Sequence, residues 1–290
     1  MTQFTDTNRS PILKPLYGVV SNVVATGVAV ARVPPGATMA ALCFQFTIAG
    51  AAATRAQLET MCTQVRFSVS GVEMWTVSMK QLIAILEFYR TGLIADTGFV
   101  TIPFERLWMQ STQAQLDPDY GTLGESSMQL EFTMAASTID TINAFGVIHP
   151  VSEALGAHVI MRRFMPNVGA IGKYLYPDLP IIPGEYLYAL HFELPVVANL
   201  NNIALITDEV RAIDFPPAWM NQLYNECVPV RTPQTAKGYA HAEFTRRGFD
   251  SDSLPVGLCK SLVLELNFIN AAPGQITIIG EYATTSPTNK

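Results

Sequence analysis

Charge is what this sequence has least of. Only 14% of its 290 residues are Asp, Glu, Lys or Arg, where ordinary soluble domains carry roughly 25%. Its 18 basic residues are outnumbered by 24 acidic ones. That balance leaves no electrostatic footprint for a phosphate backbone, so direct sequence-specific nucleic-acid binding is not expected. Disorder is excluded too, because 49% of the residues are hydrophobic and disordered chains show the opposite balance. A long helix-compatible apolar run is also missing. Between Lys14 and Arg55 the single charge is Arg32, but Pro34, Pro35 and Gly36 interrupt the stretch and its flanks favour strand. Met1 to Ser10 has no basic segment leading into an apolar core, so no secretory signal is expected.

Motifs for chemistry are equally scarce. The histidines His149, His158, His191 and His241 form no H-x-H or H-E-x-x-H pair. No G-x-S-x-G elbow, P-loop or G-x-G-x-x-G occurs. Cys43, Cys62, Cys227 and Cys259 lack C-x-x-C spacing and sit in or near apolar runs. They read as small buried hydrophobes of a chain made in a reducing compartment. Neither an enzyme nor a dedicated cofactor is expected. A charge-poor chain that does not cross a membrane must hide surface against other protein copies.

What is present is strand pattern. In 39–48 Leu42, Phe44 and Phe46 share one face, and 23–33, 64–70, 99–104 and 128–134 read the same way. One helix is predicted over 77–90, with Met79, Leu82, Ile83 and Leu86 on one face. Ile85 and Phe88 lie off that face, so the helix is apolar almost all round. It is expected to be buried on more than one side, by its own domain or by a neighbour; in the second case the two residues are subunit or membrane contacts.

The second half repeats the first. Phe44 matches Phe192, Val65-Arg66 matches Val210-Arg211, and Trp75 matches Trp219. Phe104-Glu105-Arg106 aligns with Phe244-Thr245-Arg246, and Leu130-Glu131-Phe132 with Leu264-Glu265-Leu266. Each match alone is weak, but all five fall in one order with an offset shrinking from 148 to 134. Two copies of one β-rich domain are therefore expected. The limits are an N-terminal arm at 1–16, domains at 17–150 and 158–283, and a tail at 284–290. Each copy gives about eight short strands and one helical insert without βαβ alternation. That is the layout of an antiparallel sandwich, and eight strands point to the jelly roll.

Few polar features recur. Asp117-Pro118-Asp119 and Asp250-Ser251-Asp252 fall at corresponding places, and paired carboxylates in a turn can chelate calcium. A solvated turn needs the same residue types. Arg162-Arg163 could touch lipid headgroups or a neighbouring subunit, or simply blunt a strand edge. The repeated Trp75 and Trp219 admit a second functional class, a carbohydrate-binding or glycan-processing tandem sandwich.

The order of these segments resembles the double jelly-roll major capsid proteins of internally membraned icosahedral bacteriophages. It is most like the corticovirus type, with tectivirus coat proteins and adenovirus hexon more distant. The residues carrying the likeness run from Val33-Pro34-Pro35-Gly36 and Leu42 to Phe46 through 65–71 and 99–104. It continues in Met161 to Phe164, Leu179-Pro180 and Leu187 to Leu194, and ends in Gln275 to Tyr282. The resemblance implies an all-β fold of two tandem eight-stranded jelly rolls and a structural capsid role in the virion after synthesis in the host cytoplasm. It also implies homotrimers that form pseudo-hexameric capsomers and tile a shell with neighbouring trimers. Penton and minor capsid or membrane proteins are the other implied partners, with an underlying lipid membrane touched by surface contact.

Overall fold

The computed structural model describes residues 12–16, 20–89, 97–106, 108–109, 119–135, 139–227 and 230–285. The chain divides into two compact units between His158 and Val159, with the short 108–111 segment counted in the second. The first unit contains β1 (Ile12–Pro15), β2 (Val20–Ser21), β3 (Val28–Val33), β4 (Thr38–Ile48), β5 (Ala51–Ala52), β6 (Cys62–Val69), β7 (Val72–Val77), β8 (Phe99–Pro103), β9 (Tyr120–Gly121), β10 (Met128–Met134) and β11 (Thr141–His149). The second contains β12 (His158–Phe164), β13 (Asn167–Val168), β14 (Gly172–Tyr176), β15 (Tyr186–Glu193), β16 (Leu200–Thr207), β17 (Val210–Phe215), β18 (Tyr239–Glu243), β19 (Leu262–Phe268), β20 (Gly274–Gln275) and β21 (Thr277–Thr284). Among the described residues three α-helices accompany them: α1 (Arg55–Met61), α2 (Met79–Phe88) and α3 (Pro217–Asn225).

The pairing supplies the connectivity that strand counting leaves open. In the first unit one sheet runs β1-β11-β4-β8 and the other β3-β10-β6-β7. In the second the same positions are taken by β12-β21-β15-β18 and β14-β19-β16-β17. Each unit is thus an eight-stranded jelly roll, and the fold is all-β with two tandem copies. Even the irregularity repeats. Ala40 bulges out of β4 against β11, and Tyr188 bulges out of β15 against β21. These two bulge residues accept equivalent hydrogen bonds, Phe104 N–H to Ala40 O and Phe244 N–H to Tyr188 O, each 2.8 Å.

This frame grades the five sequence matches. Phe44 and Phe192 occupy the same register, as do Phe104 and Phe244 at the ends of β8 and β18, and Glu131 and Glu265 on β10 and β19. Two matches fail. Arg66 lies on β6 but Arg211 on β17, and Trp75 lies on β7 but Trp219 inside α3. Loop length is not the cause, since the β6–β7 hairpin turns at Ser70-Gly71 and the β16–β17 hairpin at Asp208-Glu209, two residues each. The matched words are short look-alikes on non-equivalent elements.

Both cores follow from alternation. On β4, Leu42, Phe44 and Phe46 are fully buried while Cys43 and Gln45 are half-exposed. Phe132 meets Phe44 and Phe46 edge-on, at ring distances of 5.0 and 5.5 Å. Each such side chain contributes about 1.5–3 kcal/mol on burial. Residues 12–15, expected within a terminal arm, instead form β1, paired from Ile12 with Ile148 to Pro15 with Phe145. Among the described residues β1 has no strand on its other side, so Pro15 lies on a sheet edge, where a proline without an N–H is tolerated.

The helix predicted over 77–90 is α2, opened by Ser78 in a capping box with Gln81. Ile85 and Phe88 are buried inside its own unit, which removes them as subunit or membrane contacts. α2 packs against β6 and against α1, a helix not anticipated, whose Arg55 pairs with Glu87 of α2. Its signature was present in Thr54 and Gln57, another capping box. The second jelly roll has only a single turn at Val197–Asn199 in the place of α1. Among the described residues, no helix is long and apolar enough to cross a membrane.

Candidate functional site

Polar chemistry in the first jelly roll gathers where strands end. Glu105 follows β8, Asp119 precedes β9 and His149 is the last residue of β11. His149 Nε2 lies 2.6 Å from Glu105 Oε1 and 3.0 Å from Asp119 Oδ2. All three side chains are buried. They are the one group of three metal-ligating side chains found among the described residues, with ligand atoms all within 4.8 Å of one another. Tyr120 is buried beside them, and burial drives its phenol pKa up so that it stays protonated.

In the second jelly roll the polar groups lie along the sheet instead. His191 on β15 pairs in register with His241 on β18. Their Nδ1 atoms are 2.7 Å apart, so one ring donates to the other. Glu281 on β21 lies 3.4 Å from His191 Nε2. Burial, and then the neighbouring His191, hold the pKa of His241 well below the usual histidine value. One step along β18, Glu243 takes a two-pronged ion pair from Arg231, with both N–O distances 2.9 Å and both side chains buried. Tyr224 of α3 donates to His241 O at 3.0 Å and accepts from Glu243 N–H at 2.8 Å, tying the helix to the strand. The histidines that look isolated in the sequence are therefore partners. The 50 residues between them hide a contact that only strand register creates.

The sequence-predicted site residues divide clearly. Asp117 and the Asp250 side chain lie outside the described residues. Asp252 gives both carboxylate oxygens to Arg247, one at 2.9 Å, so the second Asp-x-Asp has a guanidinium partner rather than a vacant chelate. Asp119 does join a cluster, but with Glu105 and His149. Arg162 is committed internally, to Glu185 at 2.5 and 2.7 Å and over the Tyr282 ring. Arg163 is exposed. Trp75 is buried while Trp219 is 67% exposed, so no repeated sugar-stacking site exists. All four cysteines are free thiols, and burial raises the pKa of Cys62 to about 12, leaving it inert.

The exposed face of α3 borders an open groove of about 700 Å³, lined by Val196, Val197, Pro216, Pro217 and Ile269. It lies where α1 has no counterpart.

The connectivity and the repeated bulge fit a duplicated structural protein. Comparison with known proteins agrees. The model of the viral coat protein P2 N-terminal domain matches residues 18–149, and that of the P2 C-terminal domain matches residues 160–286. Among solved structures, the major capsid protein P2 of bacteriophage PM2 is similar at 18% identity and a TM-score of 0.82, over 96% of this chain and 99% of that one. The major capsid protein of STIV follows at 12% identity and a TM-score of 0.65, over 95% and 97%. The PBCV-1 virus capsid is similar at 9% identity and a TM-score of 0.63, over 98% and 97%. No curated protein sequence gives a significant match. Both halves of the chain being matched by the two domain models of one family, the protein belongs to the viral coat protein P2 family and is a structural major capsid protein of the virion, not an enzyme.

Proposed function

We propose that this capsid protein works as a homotrimer whose copies each supply two upright jelly rolls, giving a pseudo-hexameric capsomer. Such trimers tile an icosahedral shell with neighbouring trimers, above a lipid membrane that they touch but do not cross. Penton and minor capsid or membrane proteins complete the shell. The observation that supports this reading most is the duplication itself. One chain carries two jelly rolls of identical pairing order, so a three-fold ring of heterologous contacts closes with six near-equivalent lobes. The low charge content supports it as well, because obligate interfaces bury upwards of roughly 2,000 Å² and exclude unpaired charge. Arg163, exposed at the end of β12, is the one member of the basic pair left for a partner or headgroup. Light scattering after size exclusion should give a trimer at micromolar concentration, and electron microscopy should show six lobes. A stable monomer would overturn the proposal.

A further inference from the structure

We propose that Glu105, Asp119 and His149 form a binding site for one divalent transition-metal ion of the zinc class. The three come from separate segments, the end of β8, the lead into β9 and the end of β11, so an ion there would fasten three strand ends together.

Geometry and charge lead to the same place. Two carboxylates are drawn out of water side by side, each side chain under one tenth exposed. One ring nitrogen serves both, at 2.6 and 3.0 Å. That nitrogen carries at most one proton, and a single N–H cannot make two good hydrogen bonds. A divalent ion bonds to all three atoms at once and neutralises both carboxylates. The present separations are hydrogen-bond distances, and they would open to about 3.3–3.6 Å around a tetrahedral ion with bonds of about 2.0–2.2 Å. The imidazole sets the class: calcium and magnesium prefer oxygen, while a mixed nitrogen and oxygen set suits zinc and its neighbours. Three protein ligands leave a further position for water.

The competing arrangement is a metal-free hydrogen-bond network, with the buried Arg106 supplying positive charge beside Tyr120. The second jelly roll shows that the fold itself does not require the triad. The positions equivalent to Glu105 and His149 hold Thr245 and Ala283, and the strands there pair in the same order.

The test uses the full chain in its assembled form, stripped with a chelator and then titrated with zinc. The expected result is one saturable zinc per chain, a raised thermal midpoint, and a visible absorption band when cobalt replaces zinc. The isosteric changes Glu105→Gln and Asp119→Asn should each weaken zinc binding at least tenfold. Should either variant fail to fold, X-ray absorption of the zinc-loaded native chain must show an imidazole nitrogen in the first coordination shell. No retained zinc, zinc held without imidazole, zinc binding unchanged in folded variants, or calcium binding as tightly at the same stoichiometry would each overturn the site.

Discussion

At one place in the sheet wall the first jelly roll holds Cys43 and Thr101; at the same register the second holds His191 and His241. The first pair is half-exposed and joined by a hydrogen bond from Thr101 to the Cys43 sulfur. The second is fully buried, with Glu281 beneath it and the Arg231–Glu243 pair alongside. The helices differ in the opposite sense. α2 is buried on nearly every side, whereas α3 exposes Trp219 beside an open groove. Backbone frame and polar content are therefore independent: duplication kept the pairing order, the bulge and the turn before β8, and allowed the buried charges to diverge.

The comparison breaks most visibly at Arg231. Its charge is fully buried, and Glu243 has no equivalent in the first jelly roll, where Pro103 stands at that position. Removing one member strands the other as an uncompensated buried charge, costing about 3–5 kcal/mol. Arg231→Met should lower stability by that amount in denaturant melts. The double change Arg231→Met with Glu243→Leu should restore most of it. If the double variant is as unstable as the single, the pair holds the strand by more than charge.

Next in size comes a feature the two copies share. Gly98 and Gly238 precede β8 and β18 with φ of +72° and +89°. A Cβ on Gly98 would meet Phe46 O at 2.4 Å, and one on Gly238 would meet Leu194 O at 2.9 Å. Each glycine carbonyl accepts from the residue it crowds, Phe46 N–H and Leu194 N–H. Alanine there adds left-handed strain to a close approach. Gly98→Ala should cost about 2–3 kcal/mol and Gly238→Ala about 1–2 kcal/mol. Equal losses at both positions would show that φ, not the approach distance, sets the cost.

These two glycines also show what was legible in the sequence. The words Gly98-Phe99 and Gly238-Tyr239 were a repeat signal as good as Phe44 and Phe192, because a backbone requirement survives changes in side chains. Strand faces were legible because burial alternates with period two, and Ser78 with its apolar run marked α2. The buried contacts of His191 with His241 and of Glu105 with His149 were not. They join residues 44 and 50 apart through pairing order, which spacing along the chain does not encode. Whether its own unit or a neighbour buries Ile85 and Phe88 was not legible for a related reason: α1, which packs on α2, is a seven-residue helix too short for periodicity to reveal. The Asp-x-Asp pairs looked alike as words, yet Asp252 answers a local arginine while Asp119 faces a distant strand end.

Acid should separate the two jelly rolls. The folded-state pKa of His241 lies below its ordinary 6.5, first through burial and then through His191. As pH falls below about 6.5 the unfolded chain takes up a proton that the folded one refuses. Stability supplied by the neutral ring is full above that pH and is lost progressively below it. Grafting the first pair onto the second, His191→Cys with His241→Thr, should cost about 1–2 kcal/mol at pH 8 through lost volume and flatten the decline between pH 6.5 and 5. A decline as steep as in the native chain would place the acid sensitivity elsewhere.

The smallest effect tests the equivalence that the sequence placed correctly. Glu131 on β10 and Glu265 on β19 hold matching positions in the equivalent sheets of the two units. Glu131 meets Arg66 at 3.5 Å from a half-exposed setting. Glu265 is nearly buried and meets both Arg211 at 3.1 Å and Lys173 at 3.4 Å. Exposed pairs contribute about 0.2–1 kcal/mol and weaken with salt. Glu131→Gln should therefore change the unfolding free energy by under about 0.5 kcal/mol, and by less still in 1 M salt. Glu265→Gln should cost up to about 1 kcal/mol and resist salt better, because its partners compete with less water. The reverse order would mean that Arg66 orders its sheet more than the exposed geometry implies, and that these two sheets diverged in electrostatics as far as the two walls did in histidine.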